Sequence, residues 1–352
     1  MIQKTRLKIF VLQHLTNRTY NGMLYIITLC FCNWSMAGTN ESTVNAFVSQ
    51  NFLKVELDGS SIPKLVVAIL TTLFSVYVNC IMLYSLQSKR VFKESPRYIL
   101  FAHMLFNDSI HLILTSLLYV LAAAFLKLAK AVCLLIMFIS TTTFLNAPLN
   151  LAVMSLERYV AIRFPLRHAE IATLKRTYIS ICFIWLFGSL NILTDIIFAA
   201  VMDPNFFYMQ MYCSREQIFI KPWQLDLYNG CNIFYFVSVT AIIIFTYISI
   251  MITARSMSSN KDSAKKAHRT VLLHLIQLGL CLTSFVYGSI ERALYLMTGS
   301  NIALFTHLRY LNFLIVLIVP RCLSPLIYGL RDDAVRPLFK NYFCCRTKRT
   351  GH

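Results

Sequence analysis

The chain has 352 residues, of which 57% are hydrophobic and only 14% charged, and its mean hydropathy is +0.61. These values exclude a soluble globular protein. The formal net charge is +18, from 33 Lys and Arg residues against 15 Asp and Glu. A nucleic-acid partner would need the basic residues on one continuous face, and none is expected, because they are spread among separate segments. The eleven cysteines form no CxxC pair and no cluster with zinc spacing, so no metal or cofactor is expected.

Seven long stretches of the chain contain almost no Asp, Glu, Lys or Arg. About 20 apolar residues in a helix cross the hydrocarbon core of a membrane. Backbone groups without hydrogen-bond partners are too costly in lipid, so each stretch is expected to form a helix. We therefore predict an all-α membrane protein, a seven-transmembrane helix bundle over residues 63–330. The predicted spans one to seven are Leu65–Ser88, Tyr98–Leu126, Ala131–Leu156, Thr177–Val201, Leu227–Ala254, Thr270–Ile290 and Tyr310–Leu330.

The segments between the spans alternate sharply in basic content. Residues 88–97, 157–176, 255–269 and 331–352 carry 20 Lys and Arg residues, and the three intervening segments carry 6. Positive charge is retained on the cytoplasmic side, which predicts a plasma-membrane protein with an extracellular N-terminus and a cytoplasmic C-terminus. The basic face is expected to meet anionic membrane lipid and an acidic partner.

The N-terminal region, residues 1–62, supports this orientation. It contains glycosylation sequons at Asn17, Asn33 and Asn40, which only a translocated segment would present for glycosylation. Residues 1–35 also resemble a signal peptide, because basic residues precede a ten-residue apolar run. The same residues fit an upstream extension of a protein that begins at Met36, and the sequence leaves both interpretations open.

Seven spans with short loops and no internal repeat fit two main classes, a retinal-binding pump or sensor and a receptor coupled to a G protein. A covalent retinal needs a lysine in span seven, and Tyr310–Leu330 contains none. A transporter or channel from a third class is disfavoured by the absence of repeats or of paired broken helices. No enzymatic activity is expected.

The cytoplasmic end of span three carries the triplet Glu157-Arg158-Tyr159. Here the chain resembles the rhodopsin-like G-protein-coupled receptors. The resemblance implies that Glu157 holds Arg158 in the resting state and that Arg158 is freed toward the G protein on activation. It also assigns Tyr247 and Tyr328 to the switch.

Other positions match further landmarks of that family in order, and the match extends over roughly residues 60–345. Cys133 lies 25 residues before Arg158, about 37 Å along a helix and so at the exterior end of span three. The resemblance implies a disulfide from Cys133 to Cys213 in the exterior loop. The remaining matches lie in spans one, two, four, five and seven, and they are Asn79, Asp108, Trp185, Tyr247, Ser324, Pro325 and Tyr328.

Within the family, the chain most resembles odorant receptors of the fish type. The motifs are Ser95-Pro96-Arg97-Tyr98, Met154–Ile162, Lys266–Thr270 with His274-Leu275, and Pro325–Arg331. Two features depart from typical tetrapod odorant receptors: the exterior loop has one cysteine, and Glu157 replaces an aspartate. They leave room for a receptor of a lipid or small metabolite.

A ligand pocket is expected toward the exterior between spans three, five, six and seven. Ser140 stands about 27 Å along the helix from Arg158, where amine receptors resemble one another in carrying an aspartate, so an amine ligand is disfavoured. A mainly apolar pocket with a few polar groups suits small, weakly polar molecules, although the same residues fit ordinary packing or lipid contact. The candidates are Ser140, Thr141, Phe144, Asn232, Tyr235, Phe285 and Tyr310.

Three charged residues interrupt the spans: Asp108, Asp195 and Arg321. Each costs about 2.5–3.5 kcal/mol on insertion scales and needs a partner or water. Family resemblance implies a sodium ion beside Asp108, but the positions that would help to bind it are Ala147 and Ser324. We predict an Asp108–Arg321 ion pair in place of sodium, with an unpaired arginine in a water-filled channel as the alternative. Asp195, near the exterior end of span four, is expected to reach water.

The cytoplasmic tail, residues 331–352, begins with apolar residues at helical spacing. Val335, Leu338, Phe339, Tyr342 and Phe343 predict a short amphipathic helix on the membrane surface. Cys344 and Cys345 are candidate palmitoylation sites, with unmodified thiols as the alternative.

Together these features predict an odorant receptor. A small odorant in the outer half of the bundle would shift the conformational equilibrium and expose Arg158 to a stimulatory G protein that raises cAMP. The sequence leaves the ligand, the G-protein subtype and any homo-oligomer or hetero-oligomer open.

Overall fold

The computed structural model describes residues 61–202, 207, 209–215, 217–257, 279–280, 282–298, 301–331 and 334–343. The sequons at Asn17, Asn33 and Asn40, the two interpretations of residues 1–35, and the candidate palmitoylation sites Cys344 and Cys345 lie outside these residues.

Within the described residues, six helices are long and apolar enough to cross a membrane. They correspond to the predicted spans one to five and span seven. In the region of span six, the structure has a 3-10 turn, Ser284–Val286, which leads directly into a helix, Tyr287–Thr298. Spans one to five are Ser61–Gln87, Pro96–Ala123, Lys130–Arg163, Leu174–Met202 and Pro222–Met257, and span seven runs continuously through Ile302–Asn312, Phe313–Ile318 and Val319–Arg331.

Span seven begins at Ile302, eight residues before the predicted start at Tyr310. The prediction stopped at Arg309 because a charge was taken to end the apolar stretch. In the structure, Arg309 Nε lies 2.6 Å from Glu291 Oε1 on the helix of span six. Because the ion pair gives Arg309 a partner, the arginine can lie within the helix and need not mark its start.

Span three lies at the centre of the bundle. Its buried residues extend from Cys133 to Ser155, and many large apolar side chains on the other spans face outward, including Leu70, Phe74, Ile197 and Ile252. This arrangement is that of a membrane bundle, in which the outer surface meets lipid. The largest apolar cluster joins spans one, two, three and five with the start of the tail, and it includes Met82, Phe101, Leu105, Leu151, Val239, Ile243, Val335 and Phe339.

Spans three and four approach closely at Gly188. A Cβ atom at this position would overlap the side chain of Asn146 on span three. Small residues at helix contacts in membranes allow the backbones to approach. A polar chain ties the same helices to span two: Trp185 Nε1 donates to His103 Nε2 (2.9 Å), and His103 Nδ1 lies 3.1 Å from Asn150 Oδ1.

After span seven, the structure has a helix over Arg336–Phe343. Val335 and Phe339 are buried against the main apolar cluster and Leu338 is half-buried. The side chains of Tyr342 and Phe343 lie outside the described part, so the amphipathic character of this helix and its place on a membrane stay predictions.

Candidate functional site

The end of span three that is predicted to be exterior is joined to the loop between spans four and five, which we call the exterior loop. The Cys133–Cys213 disulfide is present and joins cysteines 80 positions apart in the sequence. Two short strands, β1 (Lys127–Ala129) and β2 (Gln210–Tyr212), pair antiparallel beside it. The loop is therefore fixed to the top of span three by covalent and backbone bonds.

Asp195 does not reach water, contrary to the expectation from its position near the end of span four. It is 1% exposed, and Arg215 from the exterior loop pairs with it, with Arg215 Nη2 at 2.7 Å from Asp195 Oδ2. Gln224 Nε2 donates to Asp195 Oδ1 at 3.0 Å, and Arg215 also donates to Asn191. The guanidinium Cζ stands 4.6 Å from the ring centroid of Tyr228.

This group of four side chains, which we call the exterior clamp (Asn191, Asp195, Arg215 and Gln224), links span four, the exterior loop and the start of span five. Gln224 Oε1 accepts from the backbone N–H groups of Ile220 and Lys221. The clamp thus holds the loop two residues beyond Cys213. Sequence reasoning missed Arg215 because nothing in the hydropathy profile shows how a loop folds back on a helix.

Three of the pocket candidates lie together in the bundle. The ring centroids of Phe144 and Phe285 are 6.0 Å apart, and Phe285 also contacts Phe236 at 6.0 Å. Ser140 is one helical turn above Phe144 and is buried. Aromatic side chains from spans three, five and six therefore meet at one place in the bundle and form one aromatic group.

His111 on span two belongs to the same place, although it was not among the candidates. Its ring lies 5.8 Å from Phe144, its Nδ1 donates to the Ser140 carbonyl oxygen at 3.2 Å, and its Nε2 is 3.2 Å from Thr115 Oγ1. The available signal was a histidine in an apolar span, one turn after Asp108. It adds a polar group to the floor of the candidate pocket.

The structure does not bring two other candidates to this aromatic group. Tyr235 is buried and its hydroxyl donates to the Phe187 carbonyl oxygen on span four, at 2.7 Å. Tyr310 packs toward spans one and two, 6.5 Å from Tyr119 between ring centroids. Thr141 and Asn232 are half-buried, and they stay candidates.

The intramembrane charges Asp108 and Arg321 form an ion pair. Arg321 Nη1 donates to Asp108 Oδ1 at 2.6 Å, and both side chains are 3% exposed. The guanidinium Cζ also lies 6.0 Å from the ring centroid of Phe144. Of the two interpretations of Arg321, the structure shows the ion pair, and the pair lies next to Phe144 of the candidate pocket.

The cytoplasmic switch differs from what the resemblance implied in one respect. Glu157 Oε1 lies 3.2 Å from His168 Nε2 in the short segment after span three, and no ion pair joins Glu157 to Arg158 among the described residues. Tyr159 contacts Phe245 on span five, with 5.5 Å between ring centroids. Arg158 and Tyr247 are half-buried, and the side chain of Tyr328 lies outside the described part.

Comparison with known proteins agrees with this geometry. Residues 78–328 match the family described as 7 transmembrane receptor (rhodopsin family). The chain is 34% identical to Odorant receptor 131-2 of Danio rerio over 307 residues, covering 86% of this chain and 92% of the relative. It is 27% identical to Olfactory receptor 2AG1 of Homo sapiens over 298 residues, covering 79% and 89%. Olfactory receptor 6E1 of Mus musculus matches at 28% over 218 residues, covering 58% and 64%.

The chain therefore belongs to the rhodopsin family of seven-transmembrane receptors. Within that family its relatives are odorant receptors, which confirms the resemblance read from the motifs. Membership makes it a multi-pass plasma-membrane protein and a receptor with a small-molecule ligand and a G protein as partners. It also confirms that the chain is not an enzyme.

Proposed function

We propose that this chain is an odorant receptor that binds a small, weakly polar molecule in the outer half of the bundle and activates a stimulatory G protein, which raises cAMP. The observation that carries the proposal is the aromatic group of Phe144, Phe285 and Phe236, with Ser140 and His111 beside it. Aromatic walls with a few placed polar groups are typical of sites for small ligands. None of these five side chains would give a protonated amine a carboxylate partner.

The arrangement also supplies a physical route to activation. Phe285 belongs to the span-six region and packs against both span three and span five. A ligand shifts a conformational equilibrium only by its differential affinity for the two states. A molecule that replaces the Phe144–Phe285 contact with its own contacts favours the state in which span six moves outward and Arg158 meets the G protein.

The cell orientation and the lipid contacts form part of the same proposal. The N-terminus is extracellular and its sequons carry glycans, while the cytoplasmic tail places Val335 and Phe339 against the bundle and its palmitoylated Cys344 and Cys345 in the membrane. The burial of Val335 and Phe339 supports docking of the tail to the bundle. The excess of Lys and Arg on the same side supports contact with anionic lipid.

The ligand site is tested with Phe144→Ala. Cells that express the chain with an olfactory-type stimulatory G protein are screened with small odorants, amino acids and bile-salt-like molecules, and cAMP is measured. For an active compound, we expect Phe144→Ala to raise the half-maximal concentration about tenfold or more, because loss of an aromatic contact of about 1.4 kcal/mol has that effect.

Phe183→Ala is the matched control, because Phe183 is on span four and its side chain is exposed on the outside of the bundle. It should leave the half-maximal concentration unchanged at equal surface expression. An equal shift in both variants, or none in Phe144→Ala, would contradict this ligand site. A response only to lipids or metabolites would instead support the non-olfactory alternative.

A further inference from the structure

Asp108 and Arg321 come from spans two and seven, 213 residues apart in sequence, and meet at full burial. Each charge alone would be costly within a membrane. Together they make a neutral unit in which the guanidinium already gives the carboxylate a positively charged partner. The family resemblance implies a sodium ion beside this aspartate, and whether such an ion could bind here depends on the oxygen atoms around the carboxylate.

The surrounding residues do not fit a bound cation. A hard cation takes several oxygen ligands. Ala147, at the span-three position where the resemblance implies a sodium ligand, has no side-chain oxygen and is buried in the main apolar cluster. The Ser324 hydroxyl donates to the Pro320 carbonyl oxygen of its own helix at 3.1 Å. Asn79 Nδ2 donates to Ser109 Oγ at 3.0 Å. Asn79 Oδ1 has no hydrogen-bond partner within the described residues, but even together with the Asp108 carboxylate it gives fewer oxygen ligands than a hard cation takes.

The backbone of span seven contributes to the placement of Arg321. Residues Phe313–Ile318 form a π-helical segment, and Val319–Arg331 continue as an α-helix. A wide turn of this kind adds a residue to the turn, which rotates everything after it by about 100° relative to an uninterrupted α-helix. Such segments occur often at functional sites. Here the wide turn ends two residues before Pro320, and Arg321 follows on the side that faces span two.

We propose that Arg321 is a built-in cation that closes the site beside Asp108 to sodium, so that the resting state of this receptor does not depend on sodium concentration. The proposal concerns regulation of the bundle and goes beyond the odorant-binding function. It assigns to one arginine of the chain itself the role that the family resemblance implies for a diffusible ion.

The test is the thermal unfolding midpoint of the full-length receptor purified in detergent, measured in NaCl and in KCl at equal ionic strength. It needs no odorant, so its outcome is independent of the proposed ligand. We expect the wild-type midpoint to agree within about 1 °C in the two salts. A ligand that binds only the folded state raises the midpoint. A sodium-specific rise in the wild type that Asp108→Asn abolishes would overturn the proposal.

Removal of the arginine gives the second arm. Arg321→Ser opens the space beside Asp108, and we expect a sodium-specific rise of about 3 °C, the shift for roughly 2 kcal/mol when the unfolding entropy is scaled to a chain of this length. Adding Ala147→Ser returns a hydroxyl to the site and should enlarge the rise, whereas adding Asp108→Asn should abolish it. If Arg321→Ser and its Ala147→Ser derivative fold but ignore sodium, Arg321 is not what closes the site, and the proposal is wrong.

Discussion

Asp108→Asn and Arg321→Gln are each expected to destabilise the receptor by about 3–5 kcal/mol, because removal of one partner leaves a buried charge without compensation. Both side chains are 3% exposed and joined at 2.6 Å, so neither can turn toward water without repacking. The double variant carries two neutral amides in the same place. It should recover most of the loss, since the residues act as one unit.

The measurement is surface expression by flow cytometry together with the thermal unfolding midpoint of the purified protein. Lys175→Gln is the control, because it also removes a charge but lies exposed at the cytoplasmic start of span four. It should behave as the wild type. If the double variant does no better than either single variant, Asp108 and Arg321 do not stabilise each other.

Arg215→Met should be the second most damaging substitution, at about 3 kcal/mol, the lower end for a broken buried ion pair. Asp195 is 1% exposed, and the substitution leaves it with Gln224 as its remaining partner. The methionine keeps an apolar stem beside Tyr228 but donates no hydrogen bond. The exterior loop would lose its attachment to span four while the disulfide still holds it to span three.

This predicts a local effect as well as a global one. In limited proteolysis of the intact receptor, Arg215→Met should be cleaved faster between residues 209 and 221 than the wild type, and the thermal midpoint should fall. Lys221→Met is the control from the same segment, because its side chain is exposed. Equal cleavage of the two variants would show that the exterior clamp does not hold the loop.

Hydropathy predicted seven spans, and the described residues show six of them as long apolar helices. The prediction succeeds because the cost of unpaired backbone and charge in lipid is a local property of the sequence. It failed where a charge finds a partner far along the chain. Arg309 was taken as the limit of span seven, but Glu291 pairs with it. Asp195 was assigned to water for the same reason, since Arg215 lies 20 residues later in an irregular loop.

The site was predicted in part. The Asp108–Arg321 pair could be expected because two opposite charges at similar depth in a bundle attract strongly. The directions in which Tyr235 and Tyr310 point could not be predicted. Helical spacing shows which residues of one helix share a face, but the rotation of that helix in the bundle depends on packing. The His168 partner of Glu157 was also missed, since the segment after span three has no periodic pattern to place it.

We expect an odorant to act on this chain through Arg158 and a G protein. The measurement that tests it is ligand-dependent cAMP in the wild type, Arg158→Ala and Arg163→Ala at matched surface expression. Arg163 ends the same helix and is exposed, so it controls for loss of one positive charge. We expect the response to be retained in the wild type and Arg163→Ala and lost in Arg158→Ala. An unchanged response in Arg158→Ala, or ligand flux without any G protein, would contradict the account.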